Sequence, residues 1–192
     1  LGPIGAVIGN WLGDFFKWLE NFGPWVVPTI VGATFPLMVT TGTHYGLVSI
    51  GINNRMTIGY DTIAQPGALA SNVAQGGATL AAMFCAKDKK MKSIAVSSGI
   101  SALLGITEPA MFGVNLKMKY PFYAAMFGSA VGCAYVTLTN VQNISPGAAG
   151  IIGFVCIKSG GMLNYMIGIL ISLVVGFAVT MALSKHSKFK EV

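Results

Sequence analysis

Three long apolar segments alternate with short lysine-rich segments along the chain. The apolar segments cover roughly Pro66–Ala86, Tyr120–Asn140 and Met162–Leu183. Each has the roughly 20 residues that a helix needs to cross the hydrocarbon core of a bilayer. A fourth stretch, Asn21–Asn54, contains no Asp, Glu, Lys or Arg, but it is too long for one crossing and too short for two with a loop. The pattern predicts an all-helical protein that spans a membrane.

The composition excludes the classes of protein that do not span a membrane. Hydrophobic residues make up 54% of the 192 residues and charged residues only 9%, whereas soluble domains carry about 25% charged residues. These values exclude a water-soluble globule, a disordered chain, a disulfide scaffold and a coiled coil. The net charge of +6 does not indicate a nucleic-acid partner, because the lysines cluster beside apolar segments instead of alternating with polar and aromatic residues.

The basic clusters predict the orientation of the chain. They are Lys87–Lys92, Lys117 with Lys119, and Lys185–Lys190. Clusters of this kind lie on the cytoplasmic side of a membrane. The C-terminus is then cytoplasmic, and two crossings fit between the second and third clusters. The glycine-rich segment Pro146–Gly161 is too short to cross, so we expect it to be external or re-entrant.

The segment between Lys92 and Lys117 predicts a re-entrant hairpin. A single crossing would place two basic clusters on opposite sides, and it would put Glu108 in lipid at a cost of about 2.5–3.5 kcal/mol. A hairpin that enters and leaves on the cytoplasmic side avoids both penalties. A helix over Ser93–Leu104 would rise about 18 Å, to the middle of a core about 30 Å thick. Residues Gly105–Pro109 would form the turn.

The uncharged N-terminal stretch predicts a second re-entrant hairpin, kinked by prolines and with Gly42–His44 near its tip. Each predicted tip has small residues followed by a threonine and a titratable side chain, as in Thr43-His44 and Thr107-Glu108. Paired broken segments mark the binding site in many transporters. We expect Trp11–Glu20 to lie at the membrane interface and Asn53–Asp61 to be a polar connector.

Glu108 is the only acidic residue deep in an apolar stretch. It could complement the dipole of a helix that Thr107 caps, but such a role needs no depth in the membrane. A carboxylate there can accept hydrogen bonds from two adjacent hydroxyl groups, which suits a sugar. His44 could equally be a packed core residue, although the neighbouring threonines and Tyr45 favour a polar site.

Motifs for catalysis are missing from the sequence. There is no phosphate-binding loop, no metal-spaced set of His, Cys and Asp, and no nucleophile elbow. We therefore expect no catalytic residues, no metal and no cofactor. The three cysteines, Cys85, Cys133 and Cys156, lie in apolar surroundings without Cys-x-x-Cys spacing, and we interpret them as core residues.

Four short motifs carry a resemblance to a known family. Residues Gly105–Asn115, with the sequence GITEPAMFGVN, resemble the membrane-embedded IIC component of the bacterial phosphoenolpyruvate-dependent sugar phosphotransferase system, glucose superfamily. His44–Leu47 followed by Ile52–Asn54 resembles the other polar hairpin of that family. Asn72–Ala78 is similar to its sucrose- and trehalose-type members within the glucoside branch. The resemblance covers nearly the whole chain but only about the C-terminal half of the family's membrane domain.

The resemblance implies the roles of individual residues. Glu108 and His44 would bind the sugar, with Thr43, Thr107 and Asn115 as weaker candidates. The domain would carry the sugar by an elevator-like displacement and release it to the cytoplasm for phosphorylation by the phosphocysteine of a IIB domain. No cysteine in this chain matches the phosphocysteine motif, so phosphoryl transfer cannot originate here. IIA and the phosphocarrier protein HPr would act upstream of IIB.

We therefore expect residues 1–192 to be the sugar-carrying transport half of a IIC domain, with transmembrane helices and two re-entrant hairpins. As a fragment, it would lack the N-terminal half, which forms the dimer interface, and any IIB or IIA domain. The expected protein is a multi-pass permease of the bacterial inner membrane that takes up a glucose-containing disaccharide. The alternatives are an ion- or proton-coupled sugar symporter that uses Glu108 as its proton site, and an inactive membrane fragment or anchor.

Overall fold

The structure is a computed structural model that describes residues 21–23, 25–147 and 149–185, and in this part of the chain the secondary structure is helical apart from isolated β-bridges. The predicted interfacial segment Trp11–Glu20 and the tail beyond Lys185 lie outside the described residues. The all-helical prediction is confirmed. The α-helices are α1 (Val26–Thr41), α2 (His44–Ile58), α3 (Ala64–Cys85), α4 (Lys89–Leu103), α5 (Glu108–Ala110), α6 (Leu116–Met118), α7 (Tyr120–Leu138) and α8 (Met162–Ser184).

The three longest helices, α3, α7 and α8, coincide with the three predicted apolar segments. Within the described residues, Tyr120–Leu138 and Ser159–Ser184 are long and apolar enough to cross a membrane. Helix α3 has 22 residues but is less apolar, because its buried side chains include Ser71, Asn72 and Gln75. Its length suits a crossing, whereas its composition suits a helix that is enclosed by others.

Helix α3 is the centre of the molecule and packs against α1, α4, α7 and α8. Small residues bring the helix backbones together: a Cβ atom at Gly77 would collide with the carbonyl of Leu173 in α8, and one at Gly128 in α7 would lie 2.7 Å from the backbone nitrogen of Gly176. Contacts through small residues are typical of helices that associate in a membrane. Helices α3, α7 and α8 therefore form one close-packed unit.

The first two basic clusters lie together at one end of this unit, where α8 also ends. Lys87, Met91 and Lys117 line the same cavity, and Leu183, near the end of α8, packs in the cluster that contains Ala86. The chain between Lys92 and Lys117 therefore leaves this end of the unit and returns to it. At the opposite end, the connection between α7 and α8 pairs with the chain before α3 through an antiparallel bridge between Asp61 and Asn143.

Helices α4 and α5 form a helix–turn–helix that we call the second hairpin. The turn is made at Gly105, whose φ of +100° favours glycine. A π turn, Met111–Asn115, and then α6 continue the returning arm. A Cβ atom at Gly76, near the middle of α3, would lie 2.6 Å from the Leu103 side chain. The turn of the second hairpin therefore lies about halfway along the central helix.

Segment 143–161 approaches the same turn from the opposite end. It contains two short 3-10 turns, Gly150–Cys156 and Ser159–Gly161, and no helix long enough to cross, as the sequence predicts. A Cβ atom at Gly150 would lie 2.7 Å from the backbone nitrogen of Gly105. The Tyr165 hydroxyl of α8 donates a 2.6 Å hydrogen bond to the Gly150 carbonyl. This segment therefore covers the turn of the second hairpin.

Helices α1 and α2 form the first hairpin, with its turn at Gly42, which has a φ of +76°. The prediction of a polar connector over Asn53–Asp61 is wrong in its first part, because α2 continues to Ile58. The polar residues at its end are helical because they have distant partners: Asn54 Nδ2 donates to Asp61 Oδ1 at 3.0 Å. The connector is limited to residues 59–63.

Candidate functional site

Glu108 lies at the turn of the second hairpin, as the first residue of α5. Its side chain is exposed and makes no hydrogen bond or ion pair with any other described residue. A carboxylate at a helix start is stabilised by the backbone amides there, and Met111 N donates to the Thr107 carbonyl to close the first turn. Glu108 therefore has its hydrogen-bonding capacity available for a ligand.

Thr107 precedes Glu108 and is largely buried. Its side chain makes no capping hydrogen bond, so the capping role that the sequence allowed for Thr107 is absent. The rest of the turn is held by the backbone and by Ser101, which donates a 3.1 Å hydrogen bond to the Ile106 carbonyl. The position of Glu108 is thus determined by the turn and not by a side-chain cap.

His44 is the first residue of α2, at the turn of the first hairpin. Its ring is half-buried between two aromatic rings, with centroid distances of 6.1 Å to Phe35 and 4.3 Å to Tyr45. The Nδ1 atom is buried and has no hydrogen-bond partner. Thr43, by contrast, is bonded within the hairpin, since its hydroxyl lies 2.9 Å from that of Thr41. Of the two, His44 has the polar atom that lacks a partner.

Asn115 ends the π turn and is fully buried. Thr79 Oγ1 of α3 donates a 2.9 Å hydrogen bond to its Oδ1 atom. Asn115 Nδ2 has no partner. The structure therefore places Asn115 where it links the returning arm of the second hairpin to the central helix, away from the exposed turn that carries Glu108.

Both hairpin turns lie beside the middle of α3, which they approach from opposite ends. In the first hairpin, Gly32 of α1 contacts Gly67 of α3. The two helices run in the same direction, so Phe35 and the His44 ring beside it lie about one turn further along α3. No hydrogen bond or ring contact joins His44 to Glu108 among the described residues. The two predicted binding residues therefore belong to different hairpins, and both hairpins contact the central helix.

Asp61 lies in the connector before α3 and has partners that the sequence pattern does not indicate. It is fully buried, and its carboxylate accepts hydrogen bonds from Asn54 Nδ2 at 3.0 Å and from the backbone nitrogen of Gln65 at 2.7 Å. The Arg55 guanidinium lies 3.9 Å away and donates to Asn143 Oδ1 at 3.0 Å. This cluster joins the end of α2, the start of α3 and the α7–α8 connection.

One signal in the sequence could have identified Asp61. Aspartate just before a helix commonly binds the free amides of the first turn, and Asp61 stands three residues before Ala64, where α3 begins. The contact with α2 could not be read in this way, because it depends on a glycine: a Cβ atom at Gly51 would lie 3.0 Å from Asp61 Oδ2. Within the described residues, no three His, Cys, Asp or Glu side chains lie together as a metal site requires.

The family model "Phosphotransferase system, EIIC" matches residues 1–129. A protein of Pasteurella multocida named "PTS system sucrose-specific EIIBC component" is 41% identical over 192 residues, which are 99% of this chain and 40% of that protein. The protein of the same name from Staphylococcus xylosus is 44% identical over 177 residues, which are 89% of this chain and 37% of that protein.

A "PTS system beta-glucoside-specific EIIBCA component" of Bacillus subtilis is 37% identical over 177 residues, 92% of this chain and 29% of that protein. The chain therefore spans about two fifths of the length of the sucrose-specific relatives that it matches. No solved structure matches the chain.

Proposed function

The chain belongs to the EIIC family of the phosphotransferase system, and we propose that it is the sugar-carrying part of a permease for a sucrose-type glucoside. The observation that carries the proposal is the Glu108 carboxylate, which is exposed and unpaired at a hairpin turn halfway along the bundle. Two relatives similar over nearly the whole chain are named as sucrose-specific, which favours sucrose over the other glucosides.

Both hairpins are re-entrant in this proposal. The second hairpin enters the bacterial inner membrane from the cytoplasmic end, where Lys87 and Lys117 lie together, and the first hairpin enters from the external end. Broken backbone at that depth is tolerated only where it is enclosed by protein or lines a polar cavity. The contacts of Gly105 with segment 143–161 and of Leu103 with α3 support this arrangement. The C-terminus is then cytoplasmic.

The sugar lies between the two turns. The carboxylate of Glu108 accepts hydrogen bonds from two adjacent hydroxyl groups, and a charge-assisted bond of this kind is stronger than a neutral one. The imidazole of His44, which can donate or accept, binds from the first hairpin. Thr107 and Thr43 line the turns. Asn115 contributes by holding the returning arm of the second hairpin on α3 through Thr79.

The phosphoryl group comes from another domain. A sugar hydroxyl oxygen attacks the phosphorus of a IIB phosphocysteine, the phosphorus–sulfur bond breaks, and the hydroxyl proton is released. The relatives are named as EIIBC and EIIBCA components, which supports IIB as the direct partner, with IIA and HPr upstream. The residues of this chain bind the sugar, and displacement of the domain presents it to the cytoplasm. Helices outside this chain would complete a homodimer.

Sugar uptake by the natural protein that contains this chain tests the proposal. Membranes are supplied with sucrose, trehalose or a phenyl β-glucoside, with and without phosphoenolpyruvate. We expect a sugar phosphate to form only with phosphoenolpyruvate, and sucrose to be the best substrate. Accumulation of free sugar that collapses with the proton gradient would replace the proposal with a proton-coupled symporter. Absence of both binding and uptake would indicate an inactive membrane anchor.

A further inference from the structure

We propose that Asn72 and Gln75 of α3 form a third wall of the sugar site and select the sugar by the position of one hydroxyl group. This inference rests on the proposed function, because it names residues of the same site. Both residues belong to the motif Asn72–Ala78, in which the chain is similar to sucrose- and trehalose-type proteins. This motif lies outside both hairpins and has no role in the site described so far.

The two amides have hydrogen-bonding capacity that the protein does not use. Asn72 is only 7% exposed and makes no hydrogen bond with another described residue. Gln75 is 0% exposed; its Nε2 atom donates to Ser71 Oγ at 3.4 Å, and its Oε1 atom has no partner. Buried polar atoms are nearly always paired, since an unpaired one has lost its water without compensation. Gln75 Oε1 is such an atom, whereas Asn72 keeps a small exposed area. A ligand that enters the site would supply the missing partner.

The register of two neighbouring helices places Asn72 beside Glu108. Helix α3 and the returning arm of the second hairpin both run towards the basic end, and they are joined where Thr79 donates to Asn115. Asn72 precedes Thr79 by seven residues, and Glu108 precedes Asn115 by seven. Seven helical residues rise about 10 Å. Asn72 and Glu108 therefore lie at about the same level, one on each of two packed elements.

The neighbours of each face of α3 agree with the placement of Asn72 beside Glu108. Gly76 contacts α4 of the second hairpin, Gly67 contacts α1 of the first, and Gly77 contacts α8. With about 100° between successive residues, Asn72 and Gln75 lie on the face between the two hairpins and away from α8. This face is therefore directed towards the space between the turn that carries Glu108 and the turn that carries His44.

The chemistry of the pair matches a hydroxyl group. An amide offers both donors and an acceptor, whereas a carboxylate only accepts. A sugar hydroxyl can accept a hydrogen bond from Asn72 Nδ2 and donate one to Gln75 Oε1, and this single group would satisfy both side chains. Hydrogen bonds to a positioned hydroxyl discriminate strongly against an analogue that lacks it, because the protein groups are then left unpaired. The pair therefore selects among glucosides that Glu108 alone would bind alike.

The test measures KM and kcat of phosphoenolpyruvate-dependent phosphorylation for sucrose and its monodeoxy derivatives, using the natural full-length protein in membranes. For Asn72→Ala we expect the KM for sucrose to rise about tenfold, the loss of roughly one good hydrogen bond, with little change in kcat. The monodeoxy sucrose that lacks the hydroxyl group bound by this pair should be used equally well by the variant and the wild type. Equal losses for sucrose and every derivative, or no loss at all, would overturn the proposal.

Two further variants separate binding from folding. Gln142→Ala is the matched control, because this amide bonds to Lys158 at the opposite end of the molecule and should leave KM unchanged. Gln75→Met keeps the shape but removes the unpaired oxygen; we expect weaker sucrose binding with no loss of thermal stability. A structural role would give the reverse: reduced stability with normal binding.

Direct binding of sucrose to the purified protein shows which of the two proposals has failed: the phosphotransferase function or the role of Asn72. Sucrose binding that weakens in Asn72→Ala, without phosphorylation in the wild type, would refute the phosphotransferase function and keep the role of Asn72. Normal phosphorylation with unchanged binding in Asn72→Ala would refute the role of Asn72 alone. If no sugar of the panel binds, both proposals are wrong.

Discussion

Glu108 combines two properties that seldom occur together in a packed membrane domain. It is charged, and it has no partner among the described residues. The turn before it is fixed by backbone contacts with segment 143–161, so the fold holds the backbone at Glu108 in place and leaves the carboxylate without a partner. The carboxylate can therefore turn towards a ligand, and its charge strengthens each hydrogen bond that it accepts.

Replacement of Glu108 by glutamine tests the importance of that charge. We expect Glu108→Gln to weaken sugar binding at least tenfold, since a charge-assisted hydrogen bond contributes about 1.5–3 kcal/mol. The variant should still insert into the membrane, because glutamine has the same size. The measurement is sucrose binding to the purified natural protein.

Asp88→Asn is the matched control for Glu108→Gln. Asp88 belongs to the same hairpin but caps α4 at the basic end, where its side chain accepts hydrogen bonds from the backbone nitrogens of Lys90 and Met91. Asparagine is an equally good N-cap residue, so sugar binding should be unchanged. Normal binding by Glu108→Gln would show that the carboxylate has only a structural role.

At the scale of helices, close backbone contact holds α3 to its neighbours. Gly77 lies against the Leu173 carbonyl, and Gly128 lies against Gly176. Without side chains at these points, the helices make extensive van der Waals contact, which is the main attraction between helices in lipid. The packing of α3 against α8 therefore depends on glycine at position 77, since no rotamer change can relieve a collision with backbone.

Gly77→Ala is expected to lower thermal stability, because the added methyl group must push α3 and α8 apart. Overpacking of this kind typically costs about 1–3 kcal/mol. Gly46→Ala in α2 is the control: nothing lies within 4 Å of the added Cβ atom, and alanine favours a helix over glycine by about 1 kcal/mol. Thermal unfolding in detergent measures both. Equal melting temperatures for Gly77→Ala and the wild type would contradict the packing described above.

Apolar runs and turn residues in the sequence predict most of these elements. The lengths of α7 and α8 follow from uninterrupted hydrophobicity, and both hairpin turns follow from small residues before Thr43 and Thr107. The end of α2 could not be predicted, because Asn54 and Arg55 suggest a loop until their partners are known. The partner of Arg55 is Asn143, which lies 88 residues further along the chain. The unpaired oxygen of Gln75 could not be predicted for the same reason, since it depends on how the helices pack.

Charge is distributed unevenly over the whole molecule. The lysines that flank the second hairpin meet at one end, whereas the other end has the buried Arg55–Asp61 pair and Lys158, which bonds to Gln142. An odd number of crossings between Lys87 and Lys117 would separate these two residues by the thickness of a membrane. Their proximity supports a hairpin that returns to the side from which it enters.

Cysteine labelling in intact cells tests this topology. In a variant of the natural protein in which every cysteine has been replaced, Cys85, Cys133 and Cys156 included, Lys89→Cys and Lys117→Cys should react with an impermeant maleimide only after the cells are permeabilised. Lys158→Cys should react from outside, because it lies at the other end of the bundle. Each lysine is exposed, so reactivity reports its side of the membrane. Labelling of Lys89→Cys and Lys117→Cys from opposite sides would exclude the re-entrant hairpin.

The composition of α3 has a consequence for biosynthesis. The ribosome completes this helix before α7 and α8, and α3 is less apolar than either of them, since its buried side chains include Ser71, Asn72 and Gln75. Its polar face is directed towards the two hairpins, and the second hairpin is translated after α3. We expect nascent α3 to remain at the translocon or beside it until the second hairpin, α7 and α8 have followed, about 100 residues later. Assembly of the proposed sugar site is then tied to the timing of translation.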